Sequence, residues 1–241
     1  MRYTCLMYHY IEEPASMKFS VSPDCFRSQM EALKRLGVRS WLPGGNAASS
    51  ADIPCFITFD DGHKSNLYAA ELMRDMGLKG CFYVVKDFAL HDPAFLNEAE
   101  IKAVSDMGHM IGVHGKVHEW WTKFDDRTLA RDLLETKSWI EDLTGKPVVT
   151  CAAVGGKIDS RVIRCIRTSI PDMPYIRTIR FGTNRDGDTL LNTVAVTKYV
   201  KLGSFCKAVS CDPLYYAFGS VRYAAKECIK PVYHLIKDRF V

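Results

Sequence analysis

Long apolar runs are missing from this chain of 241 residues. Nowhere do the ~18 consecutive apolar residues of a membrane-spanning helix occur together, so no span is expected. Paired cysteines are missing too. Nine cysteines stand at positions 5, 25, 55, 81, 151, 165, 206, 211 and 228, with no Cys-x-x-Cys among them. That removes support for a zinc knuckle or a dithiol redox motif. Several lie inside apolar strand-like runs, where cysteine behaves as a small buried hydrophobe. Reduced thiols, and hence a cytoplasmic setting, are the expectation. The stretch Met1–His9 has neither a long apolar segment nor a cleavage pattern, which points the same way. A strong charge of one sign is also lacking: 32 Lys and Arg against 28 Asp and Glu leave a net +4. No nucleic-acid partner is expected from such a balance, only mild attraction for anionic substrates. Internal repeats and low-complexity tracts are absent as well.

What is present is a hydrophobic content of 47%, enough at this length for one large core. Strand-like and helix-like stretches alternate, which argues for a single α/β domain over residues 1–241. Strands are expected at 3–10, 81–85, 148–154, 176–182 and 192–196. Ser22-Pro23 opens a helix with a hydroxyl cap and proline at its first position; Phe26, Met30, Leu33 and Leu36 share a face, and Gly37 ends it. Helices are also expected over 64–76, 97–107, with Asn97 and Glu100 as a capping box, over 126–144 and from Asp159 through Arg167. Residues 43–54 read as a polar connecting loop. A helical segment mixing aromatic and basic residues is expected over about 203–241.

The chain is organised around Cys55-Phe56-Ile57-Thr58-Phe59-Asp60-Asp61-Gly62-His63. An apolar strand runs straight into two adjacent carboxylates and a glycine turn. Side chains alternate along a strand, so Asp60 and Asp61 diverge while the backbone is extended. At a strand end one can reach a metal and the other a reacting water. A turn that merely caps a helix would read the same way.

A second stretch is Gly112-Val113-His114-Gly115-Lys116-Val117-His118-Glu119. Histidines four apart on a helical turn, or on a loop of similar pitch, reach one ion together. Such a pair is often incidental when alone. Here Asp61, His114 and His118 would give one oxygen and two nitrogen ligands, with positions left open for water and substrate, as in a catalytic site.

Thr58-Phe59-Asp60-Asp61-Gly62 followed by His114-x-x-x-His118 resembles the polysaccharide deacetylase family, the NodB-homology or carbohydrate esterase family four. Leu6-Met7-Tyr8-His9-Tyr10, Phe19-Ser20-Val21-Ser22-Pro23, Phe26, Gln29-Met30, Leu33 and Gly37 are similar to the opening segment of its members acting on exopolysaccharide and O-antigen-type glycans. The resemblance covers about residues 5–160. It implies an irregular, incomplete (β/α) barrel with the site at the C-terminal strand ends. It also implies Asp60 as general base and Asp61, His114 and His118 as ligands of a divalent transition metal. For such an oxygen–nitrogen set zinc is the first choice, and the set also admits cobalt, nickel or iron. The chain departs from the pattern in places. Gly115 stands where the family has Ser or Thr, and Glu119 where it has Pro. The segment Cys151-Ala152-Ala153-Val154-Gly155-Gly156 lacks the arginine or aromatic residue and the proline of the family's third motif. The late Leu-His motif that supplies a general acid has no clear counterpart.

His9, at a strand end beside the expected mouth, is a candidate catalytic residue, and His234 a candidate acid by elimination. Trp120 and Trp121 are either a hydrophobic plug or a platform for a sugar face. Arg177 and Arg180, three apart on a strand, have opposite faces, so at most one points into the mouth, where it would hold a carboxylate or phosphate; a surface ion pair is the plain alternative. The expected reaction is hydrolysis of an N-acetyl or N-formyl group from an amino sugar in surface-polysaccharide (O-antigen-like) biosynthesis, the sugar being nucleotide- or lipid-linked. A glycan-binding protein that keeps the fold is one rival. An amidohydrolase for cyclic imides or purine-derived amides is the other. The basic C-terminal segment permits peripheral contact with a membrane surface.

Overall fold

The computed structural model describes residues 1–45 and 52–224. In chain order the strands are β1 (Arg2–Tyr8), β2 (Tyr10–Ile11), β3 (Ser20–Val21), β4 (Val38–Ser40), β5 (Ile53–Phe59), β6 (Cys81–Val84), β7 (Met110–Val113), β8 (Thr150–Ala152), β9 (Tyr175–Arg177), β10 (Asn184–Arg185), β11 (Leu190–Leu191) and β12 (Val194–Ala195). The helices are α1 (Pro23–Arg35), α2 (Asn66–Asp75), α3 (Lys86–His91), α4 (Glu98–Asp106), α5 (Asp126–Thr144), α6 (Ser160–Ser169) and α7 (Leu202–Val209).

The main sheet runs β10-β1-β5-β6-β7-β8-β9-β11, with β10 antiparallel to β1. The remaining neighbours on this path are parallel, as strand–helix–strand units require. Leu190 and Leu191 pair with β9; a little further on, Val194 and Ala195 pair with β1. One short stretch of chain therefore ties the last parallel strand to the first and nearly closes a barrel. This is the irregular (β/α) barrel expected from the sequence.

Alternation along the strands sorts two cores. Outward residues such as Leu6, Ile57, Phe59, Phe82 and Ile111 pack under the helices. Inward residues, Tyr3, Cys5, Phe56, Cys81, Tyr83 and Ala152, fill the barrel. The Tyr83 ring lies where a side chain at position 112 would be: a Cβ on Gly112 would come within 2.5 Å of it. Gly112 is thus what lets a tyrosine occupy the barrel interior.

The caps read from the sequence are present. Ser22 accepts from Cys25 N ahead of Pro23, and Asn97 and Glu100 form a reciprocal capping box. Gly145 closes α5 in the left-handed conformation. Five elements were not anticipated: the short strands β3, β4, β10 and β11, with β4 on the edge of β5, and α3, which buries no residue and so carries no amphipathic pattern. Strands expected over 148–154 and 176–182 are shorter. After β8 the chain turns through a 3-10 segment at Val154–Gly156. After β9, Thr178 donates its hydroxyl to Leu191 O and accepts from Arg180 N, which bends the chain away. The C-terminal helical segment appears as α7 and a helical stretch over 213–224. His234 and residues 46–51 of the connecting loop lie outside the described residues. Among the described residues no helix is long and apolar enough to cross a membrane.

Candidate active site

Strand parity aims the site. Phe56, Thr58 and Asp60 are successive inward positions of β5 and its end, and Met110, Gly112 and His114 are those of β7 and its end. Both chains thus deliver a polar side chain to the C-terminal mouth. Asp61 would point away if the strand simply continued. Instead its φ of 71° puts it in the left-handed region, followed by Gly62 at 72°. For a non-glycine residue this is a sparsely populated conformation of the kind that collects at functional sites. The turn swings the second carboxylate back into the same mouth.

There Asp61 Oδ1 lies 3.2 Å from His114 Nε2 and 3.3 Å from His118 Nε2. The three donor atoms are within 4.8 Å of one another. Donors ~2.0 Å from a tetrahedral zinc sit about 3.3 Å apart, so the set fits a divalent transition metal. His114 Nδ1 donates to the Ala152 carbonyl at 2.8 Å, which fixes the ring with Nε2 turned toward Asp61. Tyr10 donates its hydroxyl to Asp61 Oδ2 at 3.3 Å. Burial raises the Asp61 carboxyl, but the hydrogen bonds from His114 and His118 outweigh it and hold the group well below the usual carboxylate range. Burial, helped by Asp61, pushes the Tyr10 hydroxyl up to about 12, so it stays a donor.

Asp60 is held differently. The Arg177 guanidinium, fully buried in the barrel, donates Nη2 to Asp60 Oδ1 and Nη1 to Met7 Sδ (2.9 Å). It also lies over the Tyr83 ring at 5.2 Å. Asp60 Oδ2 faces His9 Nε2 across 3.8 Å. Asn66 from α2 donates to the His9 carbonyl at 2.7 Å, and the His9 ring stacks on Phe19 at 4.6 Å. Burial lowers the His9 pKa against the pull of Asp60 and Asp61, so the imidazole is neutral at pH 7.

His114 and His118 are not on a helix. They flank a loop that Asp132 of α5 holds from below, accepting from Lys116 N at 3.0 Å and Val117 N at 3.4 Å. Gly115, at φ 98°, fits only because it has no side chain: a Cβ would meet Val117 O at 3.0 Å and Asp132 Oδ1 at 3.2 Å. The departure from Ser or Thr at this position is thereby accounted for.

The mouth is the floor of a cleft of about 740 Å³, within the usual range for ligand sites. Phe19, Phe181, Tyr199 and Tyr223 give it aromatic walls, and Lys18 and Arg222 add positive charge.

Two expectations need correction. Trp121 is 0% exposed and packs in the core, because the 3-10 turn Trp121–Lys123 folds it inward; it cannot meet a sugar. Trp120, 44% exposed, stays at the surface with Lys123 and Lys157 against its ring. Arg177 neither binds substrate nor forms a surface pair; its inward parity buries it against Asp60. Arg180, on the opposite parity, is exposed beside the cleft. Tyr10 and Asp132 were missed. Tyr10 directly follows His9, and Asp132 sits among Leu129, Leu133 and Thr136 on the buried face of α5, where a carboxylate is itself a signal.

The family model for polysaccharide deacetylase matches residues 49–168, the stretch that holds Asp60, Asp61, His114 and His118. The chain belongs to the polysaccharide deacetylase family. Among solved structures, a polysaccharide deacetylase from Bacillus cereus superposes with a TM-score of 0.78 at 24% identity, over 87% of this chain and 69% of that one. The deacetylase PplD of Streptococcus pyogenes, in complex with acetate, gives 0.78 at 16% identity over 87% and 98%. IcaB from Ammonifex degensii gives 0.74 at 20% over 86% and 96%. These likenesses concern the fold. No curated protein sequence matches.

Proposed function

We propose that this polysaccharide deacetylase hydrolyses the N-acyl group, acetyl or formyl, of an amino sugar in a metal-dependent reaction. The observation that carries the reading is the convergence of Asp61, His114 and His118 on one point beside an Asp60 that is kept out of the ligand set by Arg177. A divalent metal, zinc by preference, would polarise the acyl oxygen and acidify a bound water. Asp60 takes the water's proton on Oδ2, the oxygen that Arg177 leaves free. Arg177 fixes the carboxylate's orientation. His9 Nε2, beside Oδ2 at 3.8 Å, is the side chain placed to pass that proton to the departing amine. Phe19, Phe181, Tyr199 and Tyr223 offer faces for pyranose rings, with Trp120 outside the cleft as a further platform.

The capture of acetate by PplD, a relative of the same fold, supports acetyl as the group removed. The substrate in this reading is a surface-polysaccharide precursor of the O-antigen type, met in the cytoplasm. The Arg177 contact to Asp60, made from the strand after the altered Cys151–Gly156 segment, favours hydrolysis over a glycan-binding role.

Metal content of the purified protein and acetate release from N-acetylated glucosamine oligomers test this reading. Wild type should hold about one transition-metal equivalent and release acetate. His114→Ala should lose both. Asp60→Asn should keep the metal and lose turnover. A wild type that takes up no zinc or cobalt refutes it.

A further inference from the structure

Beside the cleft lies a smaller cavity of about 230 Å³, lined by Lys157, Thr178, Arg180 and Tyr223. It shares Gly155, Gly156, Ile179 and Tyr223 with the cleft, so a ligand in one adjoins a ligand in the other. Its charge is unusual. Nearby cations have partners: Lys123 holds Glu119 at 3.0 Å, and Arg161 holds Asp126. Lys157 and Arg180 line this cavity, Lys157 also lying over the Trp120 ring at 5.1 Å, and neither has an acidic partner among the described residues. The carboxylates among the described lining residues of the two cavities are Asp60 and Asp61, and both are engaged, by Arg177 and by the two histidines. Lys18 and Arg222 on the cleft wall add to the same sign.

Two like charges on one small cavity repel, and an anion between them relieves that repulsion. Gly156 N and Lys157 N are bonded to Ala153 O and Val154 O and are not free for a ligand. The charge comes from the side chains. A guanidinium fork matches two oxygens of one phosphate, and an ammonium adds a mobile point charge. The wall that adjoins the sugar cleft sets where that phosphate must be.

We propose that the Lys157–Arg180 cavity is a phosphate subsite, and that the substrate carries a phosphate adjoining its N-acyl sugar, as a monoester or within a diphosphate link. This builds on the amino-sugar reading of the cleft and names the class of substrate.

Calorimetric titration of the Asp60→Asn protein separates binding from turnover. The probes are methyl N-acetylglucosaminide, N-acetylglucosamine 1-phosphate and UDP-linked N-acetylglucosamine. At least one phosphorylated probe should bind about tenfold tighter than the methyl glycoside. Preference for the monoester or for the nucleotide identifies the source of the phosphate. The advantage should shrink to below about threefold in Arg180→Gln and in Lys157→Gln, two independent surface variants that retain the wild-type melting temperature. Equal binding of all three probes, an advantage that survives both substitutions, or no binding at all overturns the subsite. Acetate release by the wild-type enzyme is scored separately. Phosphate preference without acetate release would leave the subsite standing and remove the hydrolase reading.

Discussion

Arg177 and Asp60 form a buried ion pair across the barrel, the guanidinium of β9 donating to the carboxylate at the end of β5. The pair separates two adjacent aspartates into two jobs. Asp60 is bound to a fixed cation and left one free oxygen; Asp61 is turned toward two imidazoles.

Arg177→Met would strand a buried carboxylate, which costs about 3–5 kcal/mol. The denaturant midpoint should fall accordingly. Acetate release should drop about 100-fold through misorientation of the base. Metal content should hold, because Asp61, His114 and His118 do not touch Arg177. Loss of metal together with activity would show that the two aspartates are not independent.

The loop between the histidines is the next target. Gly115→Ala forces a Cβ into 3.0 Å contact at a positive φ, at a cost of about 1–3 kcal/mol. Asp132→Ala leaves the amides of Lys116 and Val117 without their acceptor. Either change should weaken zinc binding about 10–100-fold, measured by competition with a chromogenic chelator. Unaltered zinc affinity in both would mean that the loop needs no support from α5.

The two tryptophans should behave oppositely. Trp121→Ala opens a core cavity and should cost about 3–5 kcal/mol. Trp120→Ala should change stability by no more than about 0.5 kcal/mol, its effect appearing instead in KM for oligosaccharides. Urea denaturation of both variants makes the comparison.

His109 gives a pH dependence remote from the mouth. Its Nδ1 accepts from Gly80 N at 3.1 Å and its Nε2 bonds Ala70 O at 2.9 Å, a pattern that only the neutral ring satisfies. Burial lowers its pKa, against the pull of the Ala70 bond. The unfolded chain therefore binds a proton at a pH where the folded one does not. Stability is full above the ordinary histidine value, about 6.5, and falls as pH drops below it. His9 and His63 are shifted in the same direction and add to the trend. Unfolding free energies at pH 5, 6, 7 and 8 should show a shallower acid slope in His109→Gln. An unchanged slope would remove His109 as a cause.

The grouping of Asp60, Asp61 and His114 was legible because a strand period of two and a fixed turn carry them to one place. Caps at Ser22 and Asn97 were legible for the same reason: their chemistry is local. Arg177 was visible as one of two opposed arginines, but its partner lies 117 residues away and no local pattern announces it. Trp121 was misjudged because a 3-10 turn, whose period differs from both helix and strand, decides which of two adjacent indoles faces inward. α3 was missed because a helix that buries nothing leaves no periodic trace.

The stretch from Leu190 to Ala195, which pairs first with β9 and then with β1, has a consequence for biosynthesis. A chain emerging from the ribosome can join β1, β5, β6 and β7 early, and so bring Asp60, Asp61 and His114 together. It cannot seat β1 against β12 until residue 195 is out. The cation that neutralises the catalytic base arrives almost as late. Such long-range pairing makes for slow closure, and until then the nascent domain exposes an unpaired edge beside an uncompensated carboxylate.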